Sequence, residues 1–224
     1  MRLRNVKYAK DYIKNNPDKI IPNPEEKKGN WHKQFNNHNP IELEIGCGKG
    51  KFVYEKALNN PNINFIGVEK FDSVIVRALE KLLDNPLPNV KLIRIDAENI
   101  ESVFAKGELN NIYLNFSDPW PKNGHAKRRL TSDRFLNRYK NVLLNNGYVI
   151  MKTDNFSLFS FSMMSFNSHK NYLIEEINLN LYTKLPKDNV QTEFEKRFVE
   201  KGNLIFYQKV KFQEETEWRN FIKN

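Results

Sequence analysis

A glycine-rich loop with an acidic residue at its entrance is the first part of the chain in which residue types and spacing suggest chemistry. The stretch Glu44-Ile-Gly46-Cys-Gly48-Lys-Gly50 ends a short apolar run, and glycines at alternate positions let the backbone turn tightly and approach a ligand closely. The dinucleotide-binding pattern G-x-G-x-x-G requires a glycine where this chain has Lys51. A carboxylate beside the turn favours a cationic ligand over a pyrophosphate. The glycines alone fit a plain strand-to-helix turn equally well. The residues at the ends of the other strands are therefore needed to distinguish a ligand-binding loop from a plain turn.

The pattern E-x-G-x-G-x-G resembles the first motif of S-adenosylmethionine-dependent methyltransferases, whose ligand carries a sulfonium and an ammonium group. The resemblance implies that Glu69 accepts hydrogen bonds from both ribose hydroxyls and that Asp96 and Ala97 lie near the adenine. One acidic residue at a strand end is commonplace. Four predicted strands in succession nevertheless end in one, namely Glu44, Glu69, Asp96 and Asp118. Such a set indicates a binding site.

The elements that must position these residues alternate between strands and helices. The predicted strands are IELEI, NFIGVEK, VKLIRID, NIYLNF and YVIMKTD. The predicted helices are KFVYEKALNN, VIVRALEKLLDN, which Asn85-Pro86 ends, and SDRFLNRYKNVLL, with Ser132 as its N-cap and Gly147 as its end. This alternation predicts an α/β fold with a mostly parallel, Rossmann-like sheet. In such a sheet, ligands bind beyond the carboxyl ends of the strands.

The two ends of the chain complete the predicted architecture. YLIEEINLNLY and NLIFYQKVKF predict longer strands with no helix between them, which would form a C-terminal antiparallel hairpin at the edge of the sheet. Residues 1–39 are predicted to be a basic N-terminal arm, and residues 40–224 a single methyltransferase domain.

The fourth predicted strand ends in FSDPWPK, where Asp118 stands between an apolar run and two prolines. Methyltransferases that act on the exocyclic amines of adenine or cytosine have D/N-P-P-Y/F/W here, and Trp120 replaces the second proline, which argues against that class. FSDPWPK followed by H-x-KRRL instead resembles the bacterial tRNA (guanine-N7)-methyltransferase family. MKTDN at 151–155 and TEFEKRF at 192–198 are similar to the same family. The likeness covers essentially the whole chain, and DPWPK with KRR is specific to the family.

This resemblance implies methylation of guanine N7 in tRNA, at the variable-loop guanosine of tRNA position 46, with S-adenosylhomocysteine as the second product and no metal. It also implies that Asp118 is the catalytic residue and that residues 124–129 face the RNA. The implied cofactor contacts are Glu44, Gly46, Gly48, Gly50, Glu69, Asp96, Ala97 and Asp118. The implied tRNA contacts are Lys122, His125, Lys127, Arg128, Arg129, Asp154, Thr192 and Glu195. The chain departs from the family pattern at Gly124 (arginine in the family) and Phe194 (tyrosine), and neither change removes a carboxylate.

The residue types suit this chemistry. Guanine N7 has a lone pair and no proton, so methyl transfer needs alignment and a suitable electric field rather than an obligatory general base. A fixed carboxylate such as Asp118 suits the positive charge that spreads into the purine, and Glu195 could accept the N1–H and N2–H of guanine. Without the family likeness, TEFEKRF would be interpreted as a charged loop at a strand edge.

The charge and composition of the chain indicate which kind of partner it binds. The net charge of +9 predicts a polyanionic partner, and residues 1–34 and 116–140 each carry a local balance of +5. A single cysteine, Cys47, excludes a disulfide framework and a multi-cysteine zinc site. The chain has no apolar run of membrane-spanning length, and its first residues have no apolar core of a secretory signal. We therefore expect a cytoplasmic protein that acts on tRNA and not at a membrane.

Two other functions stay open at this point. One is another RNA or small-molecule methyltransferase on the same fold, which the missing D-P-P-Y and the KRR run disfavour. The other is a non-catalytic RNA-binding protein with a relic cofactor pocket, which the complete set of four acidic residues disfavours. Transfer of a labelled methyl group to bulk tRNA distinguishes the enzyme from the binding protein.

Overall fold

A mixed sheet forms the centre of the molecule. The computed structural model describes residues 6–214, and within that range seven strands form one sheet in the order β3-β2-β1-β4-β5-β7-β6. The strands are β1 (Ile41–Ile45), β2 (Asn64–Glu69), β3 (Val90–Arg94), β4 (Leu109–Asn115), β5 (Leu143–Thr153), β6 (Tyr172–Asn178) and β7 (Phe206–Phe212). Neighbouring strands from β3 to β5 are parallel, and β7 is antiparallel to both β5 and β6. The predicted α/β fold is confirmed.

Helices cover both faces of this sheet. In the described part of the chain they are α1 (Ala9–Lys14), α2 (His32–Phe35), α3 (Lys51–Asn59), α4 (Asp72–Asp84), α5 (Ile100–Val103), α6 (Asp133–Lys140), α7 (Phe156–Ser168) and α8 (Glu193–Glu200). Short 3₁₀ turns lie at Pro24–Lys27, Ala97–Asn99, Asn123–Arg128 and Leu181–Thr183. Apolar residues of α1, α3 and α4 pack on one face of the sheet, and those of α5, α6 and α7 on the other. No helix within residues 6–214 combines the length and the apolar character needed to cross a membrane.

The strand order places the ends of β1 and β4 side by side. The chain moves outward from β1 through β2 to β3 and then returns to pair β4 with the free side of β1. Strand order therefore reverses between β1 and β4, which is where an open α/β sheet leaves a crevice for a ligand. All five residues of β1 are buried, so the glycine loop that follows starts from a rigid strand.

The predicted end of the third long helix is wrong. Helix α6 begins after Ser132 as predicted but ends at Lys140, and Gly147 lies inside β5. A Cβ atom at Gly147 would lie 2.3 Å from the carbonyl oxygen of Asn110. The glycine therefore permits close approach of two strands rather than ending a helix. The Ser132 hydroxyl donates to the Lys127 carbonyl at 3.1 Å instead of capping α6.

The expectation of two long strands with no helix between them is also wrong. Strands β6 and β7 are antiparallel neighbours, as predicted, but α8 lies between them in the chain and β7 is inserted between β5 and β6. Helix α8 starts with a capping box, in which Thr192 accepts from the Glu195 amide and the Glu195 carboxylate accepts from the Thr192 amide. A capping box is a recognised sequence signal for a helix start, and TEFE carries it.

The described part of the predicted N-terminal arm packs on the domain. Helix α1 contacts α4, and Trp31 is fully buried, with its indole nitrogen donating to the Val103 carbonyl at 3.0 Å. Residues 1–5, the start of the predicted arm, lie outside the described residues. The boundary between residues 39 and 40 stays a prediction.

Candidate active site

A cavity of about 550 Å³ lies where the ends of β1 and β4 meet. The glycine loop forms one wall, and the start of α8 forms another. Residues that line it include Glu44, Gly46, Gly48, Asn115, Phe116 and Thr192. The structure thus brings predicted cofactor residues and the predicted tRNA residue Thr192 to one cavity, although 144 residues separate Gly48 from Thr192 in the sequence.

The glycine loop presents bare backbone to this cavity. Gly46 and Gly48 have φ angles of 78° and 58°, and nothing lies within 4 Å of the position that a Cβ atom would take at either residue. Gly50 has another role, because a Cβ there would lie 2.7 Å from the Cβ of Ala78 on α4. The first two glycines leave room for a ligand, whereas the third lets α3 pack closely on α4.

Glu44 is a buried acidic residue that lines the cavity, with 4% of its surface exposed. Its Oε1 accepts a hydrogen bond from Asn115 Nδ2 at 2.9 Å, and its Oε2 has no partner within the described part of the chain. Burial raises the pKa of Glu44 to about 7, although the Asn115 hydrogen bond and the charge of Lys152 partly offset it. A buried carboxylate oxygen without a partner, next to a cavity, fits a cationic ligand, because such a ligand would supply the missing interaction.

Glu69 is the last residue of β2, and Asp96 follows β3 at the same end of the parallel strands. Oε1 of Glu69 accepts from the amides of Lys70 and Phe71 at 2.8 and 3.1 Å, and burial raises the pKa of this carboxyl group. Asp96 caps the 3₁₀ turn by accepting from the Glu98 amide at 3.0 Å, and it pairs with Lys70 Nζ at 2.5 Å. Burial would raise the pKa of Asp96, but these two hydrogen bonds outweigh it and lower the pKa.

Asp118 lies exposed on a sharp corner after β4. Phe116 and Trp120, on either side of it, have positive φ angles of 51° and 41°, and the Phe116 amide donates to the Lys152 carbonyl at 2.8 Å. The charge of Asp118 is one of the groups that raise the pKa of Glu69. Asp118 therefore lies close enough to Glu69 for their charges to interact, at the end of the sheet where the other acidic residues lie.

Basic residues surround the outer side of the corner. Lys122 and Lys127 are exposed at the 3₁₀ turn Asn123–Arg128, and His125 contacts Trp120 edge-on, with ring centroids 5.7 Å apart. The Arg128 guanidinium lies 4.9 Å from the centroid of the Trp120 ring. Arg129 instead donates to the carbonyls of Pro119 and Trp120. Asp154 is half-buried and accepts from Asn203 Nδ2 at 3.3 Å.

Glu195 lies deeper than a guanine contact would require. It is fully buried, and its Oε2 is 2.5 Å from Lys152 Nζ. Its Oε1 accepts from the Tyr182 hydroxyl at 3.1 Å and from Asn189 Nδ2 at 3.3 Å. Both oxygens therefore already accept hydrogen bonds from the protein, and in this structure Glu195 anchors α8 to β5. A direct bond from Glu195 to guanine stays a prediction and would require those bonds to break.

Three residues of the site were not predicted from the sequence. They are Asn115, which holds Glu44, Lys152, which holds Glu195, and Lys70, which pairs with Asp96. A signal for the first two was present, because a polar residue near the end of an otherwise apolar strand needs a buried partner. Among residues 6–214 no group of three or more His, Cys, Asp or Glu side chains could hold a metal ion.

The sequence is similar to those of known methyltransferases. A family model described as a putative methyltransferase matches residues 38–208. The chain is 48% identical over 212 residues to a tRNA (guanine-N(7)-)-methyltransferase of Geobacillus sp. (strain WCH70), covering 95% of this chain and 96% of that protein. It is also 48% identical over 215 residues to the protein of that name from Bacillus cytotoxicus, covering 96% and 99%.

The fold is also similar to solved structures. A variant of the 16S rRNA (adenine(1408)-N(1))-methyltransferase from Catenulisporales acidiphilia, solved with its cosubstrate, superposes with a TM-score of 0.62 at 13% sequence identity. The match covers 87% of this chain and 93% of that one. At this identity the likeness concerns the fold alone.

Proposed function

The chain belongs to the tRNA (guanine-N(7)-)-methyltransferase family, and from that premise we propose which guanosine it methylates and which residues perform the reaction. The activity of the family is S-adenosylmethionine-dependent methylation of guanine N7, with tRNA as the substrate. The proposed target is the variable-loop guanosine at tRNA position 46, in the cytoplasm. The observation that supports the residue assignment best is the unpartnered carboxylate oxygen of Glu44, buried at a cavity beside the Asp118 corner.

The residues at the strand ends fit the cofactor. Glu44 would face its positively charged end, and the backbone at Gly46 and Gly48 would lie against it. Glu69 would accept from the ribose hydroxyls, with Asp96 and Ala97 at the adenine. When bound, S-adenosylmethionine supplies a methyl group from a sulfonium ion. The electron pair of the broken carbon–sulfur bond stays on sulfur.

Asp118 would act on the guanine rather than remove a proton. N7 has no proton to lose, so a general base is not required, and the rate depends on alignment and on the field at the reacting atoms. The purine gains positive charge as N7 bonds to the methyl group, and a fixed carboxylate beside it stabilises that charge. Prolines on both sides of Trp120 restrict the backbone that carries this carboxylate.

The basic residues beyond the corner would hold the tRNA. Lys122, His125, Lys127 and Arg128 lie on or next to one 3₁₀ turn, and residues 116–140 have a net charge of +5. Contacts from such residues to phosphates position a nucleic acid without reading its sequence. Thr192 at the cavity and Asp154 at the end of β5 are proposed to contact the substrate from the other side.

The test is the position of the methyl group on tRNA. Purified protein is incubated with labelled S-adenosylmethionine and an unmodified tRNA transcript, and the product is cleaved at 7-methylguanosine and sequenced. We expect cleavage at the variable-loop guanosine, and no label on a matched transcript with adenosine at that position. Label on an exocyclic amine would support another RNA methyltransferase, and tRNA binding without label would support the non-catalytic alternative.

A further inference from the structure

The corner that carries Asp118 has a backbone that needs support from elsewhere. Phe116 and Trp120 have φ angles of 51° and 41°, in a region that bulky residues rarely adopt. Pro119 and Pro121 restrict the chain on either side of Trp120 but do not favour a positive φ at that residue. A backbone of this kind persists only where surrounding contacts determine it.

Arg129 supplies such contacts. Its Nε donates to the Pro119 carbonyl at 3.1 Å, and its Nη2 donates to the Trp120 carbonyl at 3.0 Å. These carbonyls belong to the two residues that follow Asp118. The guanidinium also lies 4.3 Å from the centroid of the Phe161 ring on α7. A rigid fork of N–H donors is the group that can bind two adjacent carbonyls at once.

The position of Arg129 is itself fixed. Its amide donates to the Ala126 carbonyl at 3.1 Å, and its carbonyl accepts from the Ser132 amide at 2.9 Å. The side chain therefore reaches back from a hydrogen-bonded backbone to close the loop 118–129. Arg128 differs, because it is exposed and contacts the face of the Trp120 ring at 4.9 Å.

We propose that Arg129 is a positioning residue that holds the Asp118 corner in its reactive shape by binding the carbonyls of Pro119 and Trp120, whereas Arg128 is the phosphate contact of the pair. This inference rests on the proposed function, because it concerns the placement of the proposed catalytic carboxylate. It changes the role that the sequence resemblance implied for Arg129, which was contact with RNA.

The two roles have different kinetic consequences. Loss of a phosphate contact weakens tRNA binding and lowers the slope of log affinity against log salt by roughly 0.7–0.9. Loss of a positioning contact moves the carboxylate, and a displacement of about 1 Å can reduce the rate of the chemical step roughly 100-fold. Arg129 variants should therefore slow methylation of bound tRNA and leave the salt slope unchanged.

The experiment compares Arg129→Lys, Arg129→Ala and Arg128→Ala with the unchanged protein. Single-turnover methylation at saturating tRNA and S-adenosylmethionine gives the rate of chemistry, and tRNA binding at several salt concentrations gives the slope. Lys106→Ala is the matched control, because it removes one positive charge at a distant position. Lys106 precedes the start of β4, whereas Asp118 follows the end of the same strand. Circular dichroism and thermal unfolding verify that each variant is folded.

We expect both Arg129 variants to react roughly 10- to 100-fold more slowly with an unchanged salt slope. Arg129→Lys should not rescue the rate, because one ammonium group cannot replace the two N–H donors of the guanidinium group. If Arg129→Ala does not fold, Arg129→Lys still provides the test. Arg128→Ala should lower the salt slope. A normal single-turnover rate for Arg129→Lys, or a lower salt slope for Arg129→Ala with a normal rate, would overturn the proposal. If the unchanged protein fails to methylate tRNA, the proposed function fails instead.

Discussion

Glu44 should couple cofactor binding to the release of a proton. Its pKa in the ligand-free protein is raised from 4.5 to about 7, so the carboxyl group is largely protonated at mildly acidic pH. A cationic ligand at its unpartnered oxygen favours the ionised form and lowers that pKa. Binding should therefore release a proton below pH of about 7 and none well above it.

The free energy associated with Glu44 follows from the size of its pKa shift. A change from 4.5 to about 7 corresponds to about 3 kcal/mol at 1.36 kcal/mol per unit. Because the folded pKa of Glu44 is raised, the contribution of this residue to the stability of the ligand-free protein is highest below the unfolded pKa. That contribution falls as the pH rises toward about 7 and no longer changes above that value. Cofactor affinity has the opposite dependence, and at one pH unit below the pKa it should be about tenfold weaker than at its plateau.

Calorimetric titration with S-adenosylhomocysteine, in buffers of different ionisation enthalpy, measures both the affinity and the protons released. Glu69 and Lys152 are charged neighbours of Glu44, and the Cys47 thiol beside it stays neutral because burial raises its pKa. Glu44→Gln isolates the contribution of Glu44.

We expect weaker, pH-independent binding in Glu44→Gln. We also expect a gain in ligand-free stability at pH of about 8 that reaches at most about 3 kcal/mol. An equal pH slope in the unchanged protein and in Glu44→Gln would refute this reasoning.

The remaining predictions concern three other side chains. Glu69→Ala should weaken S-adenosylmethionine binding by roughly 1.5–3 kcal/mol, the scale of a hydrogen bond to a charged group, and unchanged affinity of a folded variant in calorimetry would contradict its role at the ribose. Asp118→Asn should keep the fold and reduce the single-turnover rate roughly 10²- to 10³-fold, whereas a near-normal rate would make the corner purely structural. Lys152→Met should leave the Glu195 carboxylate buried without its cation and lower the free energy of unfolding in urea by about 3–5 kcal/mol. The double variant with Glu195→Gln should recover much of that loss, and an equal loss in both would show that the ion pair is not the cause.

Much of the fold was predictable because its signals are local. Apolar runs and helical periodicity placed β1 to β4, α3 and α4 within a few residues. Helix α7 was not predicted, because FSLFSFSMMSFNS has apolar residues around most of its circumference and lacks a clear 3.6-residue pattern. Gly147 misled the prediction, because a glycine that ends a helix and one that lets two strands approach look the same in a sequence.

Site residues that belong to a sequence motif were predictable. The burial and orientation of site residues were not predictable where they depend on contacts with residues distant in the chain. The acidic residues at strand ends follow from strand order, and the structure places Glu44, Glu69, Asp96 and Asp118 at one edge of the sheet. The buried state of Glu195 depends on Lys152, which is 43 residues away in the chain. The orientation of Arg129 depends on the fold of a loop, which residue types alone do not determine.

The insertion of β7 between β5 and β6 has a consequence for how the molecule is made. During synthesis β5 has its β4 neighbour long before residues 206–212 leave the ribosome, and β6 has no neighbour in the described sheet until then. The glycine loop, the strand ends and the Asp118 corner belong to the part of the chain that emerges first. Helix α8, which covers the cavity, emerges just before β7. The nascent chain can thus assemble its cofactor-facing half early. Strand β7 is the last strand to be made, and it joins β6 to β5 and the other strands of the sheet.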